Sequence, residues 1–315
     1  MMSQSKAWSN GCVLTIGNFD GVHRGHRSLI DTLVQMAHQL EVPSVVFTFD
    51  PPPLKLLRPD FAPKPLTWNQ RRESLLKSLG VDCVHFFPTT PELLNYTPRE
   101  FFKGVLVEQL QVRGMVEGPN FRFGKDRVGD IESLGILCEE FDVSLKVAES
   151  QHIGERLVSS TQIRRWIEQG DMRSANECLV EAYRIAGTVG HGAARGRTLG
   201  FPTANIEGIE VLIPKHGVYS ARVVAPNALA SIPVALHIGP NPTFAEDANK
   251  VEAHLLDYQG DLYGSYLEIE ILDLVRDVQK FQSKEALLGQ LHQDIERVRT
   301  LVGRNPPPTI SIEPA

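Results

Sequence analysis

The sequence predicts two domains of different grammar: an α/β domain on a parallel sheet, then an antiparallel β domain closed by a terminal helix. Three observations lead there. Strand and helix patterns alternate through the first half. Near residue 180 they give way to short strands separated by turn residues. An amphipathic stretch from Ser283 to Val302 ends the pattern. A chain of 315 residues fits two ordinary cores better than one large one. The expected domains are residues 1–180 and 181–303, followed by a disordered, proline-rich tail over 304–315.

Cys12 to Ile16 is an apolar strand, and the helix after it carries Leu29, Ile30, Leu33, Val34, Ala37 and Leu40 at helical spacing. Ser44 to Phe49 is a β-rich run suited to a buried parallel strand. Gln70 to Leu79 reads as a helix, with Leu75, Leu76 and Leu79 inward and Gly80 as its stop. Cys83 to Phe87 is the next strand. Pro98 can open a helix whose stripe is Phe101, Phe102, Val105, Leu106 and Leu110. Gly114 to Val116 is a short strand, Asp130 caps a helix through Phe141, and Val143 to Val147 is a further strand. Strands joined by helices imply right-handed crossovers and a sheet covered on both faces.

The second half carries strand patterns at Arg184 to Val189, Val218 to Val224, Ile232 to Ile238, Val251 to Leu256 and Tyr266 to Leu272. Their spacing fits an antiparallel barrel or a sandwich. No helix is expected between residue 180 and the closing one, where Ala286, Leu287, Leu291, Ile295 and Val298 share a side.

Composition excludes several classes. Hydrophobic residues make up 42% and charged residues 22%, the balance of a soluble globular protein. A net charge of −6 argues against long-range attraction to nucleic acid. No apolar run is long enough to span a bilayer, so no membrane partner is expected. The stretch from Met1 to Asn10 lacks the apolar core of a signal peptide. Cys12, Cys83, Cys138 and Cys178 are scattered, which argues against a zinc site or disulfide framework and fits a reducing cytoplasm. The sequence leaves the oligomeric state open.

The stretch Thr15-Ile-Gly-Asn-Phe-Asp-Gly-Val-His-Arg-Gly-His26 joins the first strand to the first helix. His23 and His26, three apart, stand side by side on the opening turn. Unpaired N–H groups and a positive dipole end let a phosphate dock there. Two imidazoles can donate hydrogen bonds to charge that builds as a phosphorus–oxygen bond breaks. Gly17, Gly21 and Gly25 allow tight turning and close backbone approach. The segment resembles the HxGH signature of the nucleotidyltransferase superfamily. The longer string Gly-x-Phe-Asp-Gly-Val-His-x-Gly-His resembles its flavin branch, the bacterial bifunctional riboflavin kinase/FMN adenylyltransferases. The resemblance implies a Rossmann-like nucleotidyltransferase domain, with Gly17, Phe19, Asp20, Gly21 and Gly25 at ATP and His23 and His26 catalytic.

Two more motifs follow in family order. Gly118 to Asp130 is a polar loop with two exposed-looking phenylalanines, Phe121 and Phe123. By composition it is a surface loop, but it resembles the family's flavin-binding segment, which implies that Asn120 and Phe121 contact FMN. In Val158-Ser-Ser-Thr-Gln-Ile-Arg164, Ser160 is placed to cap a helix that includes Ile163, Trp166 and Ile167 and stops at Gly170. Simple capping accounts for this equally well. The segment also resembles the superfamily's triphosphate-holding motif, which implies ATP binding by Ser160 and Thr161 and a catalytic Arg164.

In the second half, His191 to Asn205 is rich in glycine and arginine and ends in Pro-Thr-Ala-Asn. It can wrap phosphates through backbone N–H groups and Arg195 or Arg197. Thr203 and Asn205 alternate along a strand and are hard ligands suited to Mg²⁺ carried by a nucleotide. The string closely resembles the riboflavin kinase signature Gly-Arg-x-Leu-Gly-Phe-Pro-Thr-Ala-Asn, which implies ATP at Gly192, Arg195, Arg197 and Gly200 and metal at Thr203 and Asn205. Glu252 and His254 share a strand face opposite Val251 and Leu255. A solvated outer face is the usual fate of such a carboxylate. The resemblance instead makes Glu252 the base toward the ribityl 5′-hydroxyl and leaves His254 structural. Asn241-Pro-Thr-Phe244 and Asp261-Leu-Tyr-Gly264 also match, which implies flavin contacts from Pro242 and Thr243.

The chain departs from the family at Asp50-Pro-Pro-Pro53, where Pro52 replaces a common histidine, and at Leu179-Val-Glu-Ala-Tyr183. The resemblance implies a bifunctional enzyme that phosphorylates riboflavin to FMN and then adenylylates FMN to FAD. ATP would be co-substrate to both steps and Mg²⁺ the divalent cation. The alternatives are a riboflavin kinase with a degenerate adenylyltransferase domain and a non-catalytic flavin or nucleotide sensor.

Overall fold

The computed structural model describes residues 10–149, 152–153, 156–191, 200–225, 229–241, 243 and 246–304. The chain forms two compact units, Met1–Pro63 with Thr67–Ser159, and Lys64–Leu66 with Ser160–Ala315.

In the first unit, β1 (Cys12–Ile16), β2 (Ser44–Asp50), β3 (Cys83–Pro88), β4 (Val112–Glu117) and β5 (Ser144–Val147) form a parallel sheet in the order β3-β2-β1-β4-β5. All of β1 is buried, as its near-continuous apolar run requires. Strand order reverses around β1 and β4, and the crevice beyond their carboxyl ends is where open α/β sheets take ligands.

α1 (Arg24–Leu40) buries Ile30, Leu33, Met36 and Ala37, whereas Leu29, Val34 and Leu40 are only half-buried. α2 (Pro53–Leu57) follows β2, and Pro52 serves as its N-cap. α3 (Asn69–Ser78) buries Arg72 beside Leu75 and Leu76, and the chain leaves it through Gly80 at φ +92. α4 (Pro91–Leu94) precedes α5 (Pro98–Glu100), which lasts a single turn. Phe101–Gln109 then winds as a π-helix, and the Leu110 N–H reaches the Val105 carbonyl, 3.1 Å away and five residues back. The wider turn lets Phe101, Phe102, Val105, Leu106 and Leu110 all face the core, the stripe expected of an α-helix. Asp130 caps α6 (Ile131–Glu140) by accepting the Ser133 N–H at 3.0 Å. A hairpin of β6 (His152–Ile153) and β7 (Arg156–Leu157) lies outside the sequence expectation.

The second unit opens with α7 (Ser160–Gln169) and α8 (Met172–Cys178). β8 (Arg184–Gly190), β9 (Ala204–Glu207), β10 (Gly217–Ala225), β11 (Pro233–Asn241), β12 (Glu246–Leu255) and β13 (Tyr266–Arg276) close a barrel in the order β10-β11-β12-β9-β8-β13. Closure removes the free edges a sandwich would leave. The Asn176 side chain of α8 donates to the Ile271 carbonyl at 2.9 Å and accepts the Tyr183 N–H at 2.8 Å, which ties the helix to the barrel. α9 (Lys284–Arg304) packs on β10, β11 and β13. Its buried stripe is Asp294, Val298 and Leu301, while Ala286 is exposed, contrary to expectation. The reason is polar: Arg276 of β13 grips Asp294 through Nε at 3.0 Å and Nη2 at 2.8 Å.

Candidate active sites

In the first unit the chain leaves β1 and turns sharply, with Phe19 at φ 45, Gly21 at φ 83 and Val22 at φ 34. Asp20 shapes this turn from within. Its Oδ1 accepts the Thr67 N–H at 3.1 Å and the Thr67 hydroxyl at 3.2 Å, and that hydroxyl accepts the Gly21 N–H at 3.3 Å. Buried Arg72 stands 3.7 Å from the same oxygen. A Cβ at Gly17 would meet the Phe19 ring at 2.9 Å, so glycine there lets the ring fold back.

His23 is the N-cap of α1, and its N–H donates to His26 Nδ1 at 3.2 Å. The neutral His26 ring therefore carries its proton on Nε2, where it can be donated. The two rings stack with centroids 3.6 Å apart and planes 16° apart, and the Phe19 ring lies 5.0 Å from that of His26. Burial pushes His23 down to about 4. Burial, aided by the neighbouring His23 and Arg72, pushes His26 well below its ordinary value. Both imidazoles are thus neutral N–H donors at pH 7. Gly25 leaves room for the pair, since a Cβ there would stand 3.1 Å from His23 Cε1 and Nδ1.

Glu117, at the carboxyl end of β4, escaped the sequence reading. It is 2% exposed, and its Oε1 accepts the Ile16 N–H of β1 at 2.7 Å. Burial drives its pKa well above the ordinary value, and the carboxyl stitches together the two strands that flank the crevice. The available signal was an acidic residue ending the apolar run Met115-Val116. In the nearby loop Asn120 is exposed, but Phe121 is half-buried and Phe123 is buried. This corrects the expectation of two exposed rings. The rings stack 5.4 Å apart, and Phe123 exchanges backbone hydrogen bonds with Gly129, so the loop is anchored.

Ser160 is the first helical residue of α7, one position later than the expected cap. Ile163, Trp166 and Ile167 are buried, and Gly170 at φ +81 ends the helix as expected. Thr161 is exposed, and Arg164 Nε donates to the Lys64 carbonyl at 3.1 Å. These residues belong to the second unit, whereas His23 and His26 belong to the first.

Gly192, Arg195, Arg197 and Pro242 lie outside the described residues. Gly200 turns at φ +86. Thr203 lines a cavity of about 70 Å³ with Pro202, Ala253, Asp261 and Tyr263. Asn205 of β9 is the direct partner of Glu252 on β12. The Asn241 side chain donates to Glu252 Oε2 at 2.9 Å, and His237 is the partner of Glu252 on its other side, on β11. Neither Asn241 nor His237 was assigned a role from sequence, because cross-strand register is not written there. His254 Nδ1 lies 2.7 Å from the Pro202 carbonyl, and its ring meets Phe201 edge-on at 5.7 Å. The Thr243 hydroxyl accepts the Phe281 N–H at 3.2 Å.

The FAD synthetase family matches residues 5–162 and the riboflavin kinase family matches residues 179–302. A bifunctional riboflavin kinase/FMN adenylyltransferase of Escherichia coli (strain K12) is 35% identical over 303 residues, which cover 96% of each chain. The chain belongs to the bifunctional riboflavin kinase/FMN adenylyltransferase family. A member from Pseudomonas fluorescens is 37% identical over 292 residues, 92% of this chain and 93% of that one. The crystal structure of a Streptococcus pneumoniae protein named for macrolide efflux superposes with a TM-score of 0.81 at 29% identity, covering 92% of this chain and 94% of that one. Among the described residues no helix is long and apolar enough to cross a membrane.

Proposed function

We propose that this chain phosphorylates riboflavin to FMN in its barrel domain and transfers AMP from ATP to FMN in its α/β domain, releasing pyrophosphate. The observation that carries the two-activity reading is the intact histidine pair. His23 and His26 are stacked, neutral and seated over Gly25 at the opening of α1. A chain with a degenerate first domain, or a sensor, has no use for that arrangement.

In adenylyl transfer an FMN phosphate oxygen attacks the α-phosphorus of ATP and pyrophosphate departs. The attacking oxygen is already ionised, so no base is required. His26 Nε2–H and His23 donate to the oxygens on which charge grows. Ser160, Thr161 and Arg164 hold the triphosphate, while Asn120 and Phe121 contact the flavin. In phosphoryl transfer Glu252 orients the flavin hydroxyl and takes its proton. Thr203 and Asn205 offer neutral oxygen donors, too few to cage an ion. That suits Mg²⁺ brought in by nucleotide phosphates, where it would neutralise their charge.

The test is to incubate pure protein with riboflavin, ATP and Mg²⁺ and to separate the flavins over time. FMN should rise first and FAD should follow. FMN accumulating without FAD would reduce the reading to a kinase, and unchanged riboflavin would remove it altogether.

A further inference from the structure

The turn between β1 and α1 takes a backbone that its side chains resist. Phe19 stands at φ 45, and Val22, a β-branched residue, at φ 34. Such conformations persist only where their surroundings over-determine them. Val22 directly precedes His23, the N-cap of α1, so whatever holds this turn also sets where the histidine pair begins.

The hold comes from Thr67, two residues before α3. Its hydroxyl gives its single proton to Asp20 Oδ1 at 3.2 Å and accepts the Gly21 N–H at 3.3 Å. Its own N–H donates to the same Asp20 oxygen at 3.1 Å. Thr67 is gripped in turn from α3, where Arg72 Nη2 donates to the Thr67 carbonyl at 3.2 Å and lies 3.7 Å from Asp20 Oδ1. Asp20, Thr67 and Arg72 are all buried. Asp20 Oδ1 is thus spent inside the fold, and one hydroxyl ties the carboxylate to the backbone of the next residue.

We propose that Thr67 is a positioning residue for adenylyl transfer: through Asp20 and Gly21 it fixes the turn that sets His23 and His26 at the opening of α1. The inference rests on the histidine pair acting in that transfer. In the step, an FMN phosphate oxygen bonds to the α-phosphorus. The bond from that phosphorus to the pyrophosphate oxygen breaks, and its electron pair leaves with pyrophosphate. No proton has to move, so the rate depends on how well the two donors meet the growing charge. A displaced donor loses more in the transition state than in the ground state, so the loss falls on kcat and leaves KM alone.

The test compares full-length wild type with Thr67→Val, Thr67→Ser, Asp20→Ala and the Asp20→Ala/Thr67→Val double variant, with His26→Ala as the reference for the reaction itself. Valine keeps the shape of threonine and loses the hydroxyl, whereas serine keeps it. Thr67→Val should lose about tenfold in kcat for FAD formation from FMN, the scale of a donor misplaced by about half an ångström. KM for ATP and for FMN should stay within about twofold, and riboflavin phosphorylation in the same preparation should be unchanged. Thr67→Ser should return kcat to within about threefold of wild type, a residual of less than one hydrogen bond. In the Asp20→Ala background, Thr67→Val should cost at most about twofold more, because the two residues act as one brace. Wild-type kcat in Thr67→Val, a change confined to KM, equal damage from valine and serine, or losses that multiply in the double variant would each overturn the proposal. If Thr67→Val fails to fold, Thr67→Ala is held to the same criteria. Full FAD formation in His26→Ala would sink the histidine reading itself. An inactive His26→Ala beside a fully active Thr67→Val would leave the histidines in place and remove Thr67 alone.

Discussion

Replacing Gly25 with alanine should separate stability from activity in the adenylyltransferase domain. Gly25 is the second residue of α1, and its φ lies outside the left-handed range, so alanine fits the backbone. Alanine in a helix is favoured over glycine by up to about 1 kcal/mol, so the fold should hold or gain slightly. The new methyl, however, stands 3.1 Å from His23 Cε1 and Nδ1, where ordinary contact begins near 3.4 Å. The ring must shift by a few tenths of an ångström. A misplacement of about 1 Å costs on the order of a hundredfold in rate, so a shift of about a third of that should cost about fivefold. The assay is kcat for FAD formation from supplied FMN and ATP, alongside riboflavin phosphorylation and the urea midpoint of the same preparation. The expected result is slower adenylylation, unchanged phosphorylation and an equal or higher midpoint. Unchanged adenylylation would show that the seat of His23 over Gly25 does not set the chemistry. A fall in all three quantities would mean that the methyl disrupts the helix start instead.

His26→Ala should lower FAD formation from FMN by about a hundredfold or more, the scale of one lost donor to a developing oxyanion, and spare riboflavin phosphorylation in the same tube. Glu252→Gln should slow FMN formation by roughly a hundredfold, as for a lost general base, and leave adenylylation of added FMN untouched; equal loss in both reactions would refute the division of labour. The buried His23 should also make stability depend on pH. Its pKa is about 4 when folded against an ordinary 6.5, so between those values the unfolded chain binds more protons and stability falls as pH falls. The loss should approach about 3 kcal/mol by pH 4, and His23→Gln should flatten that slope in urea unfolding.

Legibility in the sequence tracked the distance between partners. β1 and β2 were plain because buried parallel strands read as near-continuous apolar runs. The His23–His26 pair was plain because one helical turn holds all of it. Asp20 reads as a ligand contact in the motif, yet its carboxylate is turned to Thr67, 47 residues away. Glu117 meets Ile16 across 101 residues, and no local pattern marks that bond. The closing helix misled because Asp294 occupies a core position by virtue of Arg276, where periodicity expects an apolar side chain. α8 was missed because seven residues, with Met172, Ala175 and Cys178 inward, are too few to establish a period. In the barrel, alternation gives which face Glu252 takes, but register alone brings His237 and Asn205 beside it.

In the proposed function the two sites handle protons in opposite ways, and the difference follows from their nucleophiles. An FMN phosphate arrives ionised, so the first domain needs donors and no base. Desolvation suits that task, because it strips His23 and His26 of charge while leaving each an N–H to give. Neutral donors also spare the ground state a formal ion pair with bound phosphate. Their advantage is then concentrated where charge builds up in the transition state. A riboflavin hydroxyl arrives with its proton, so the second domain needs a carboxylate that can accept it. Glu252, the proposed base, is set among polar partners, with Asn241 donating to one oxygen and His237 paired with it across the strand. In the proposed first site, burial of titratable groups thus serves the reaction by withholding charge.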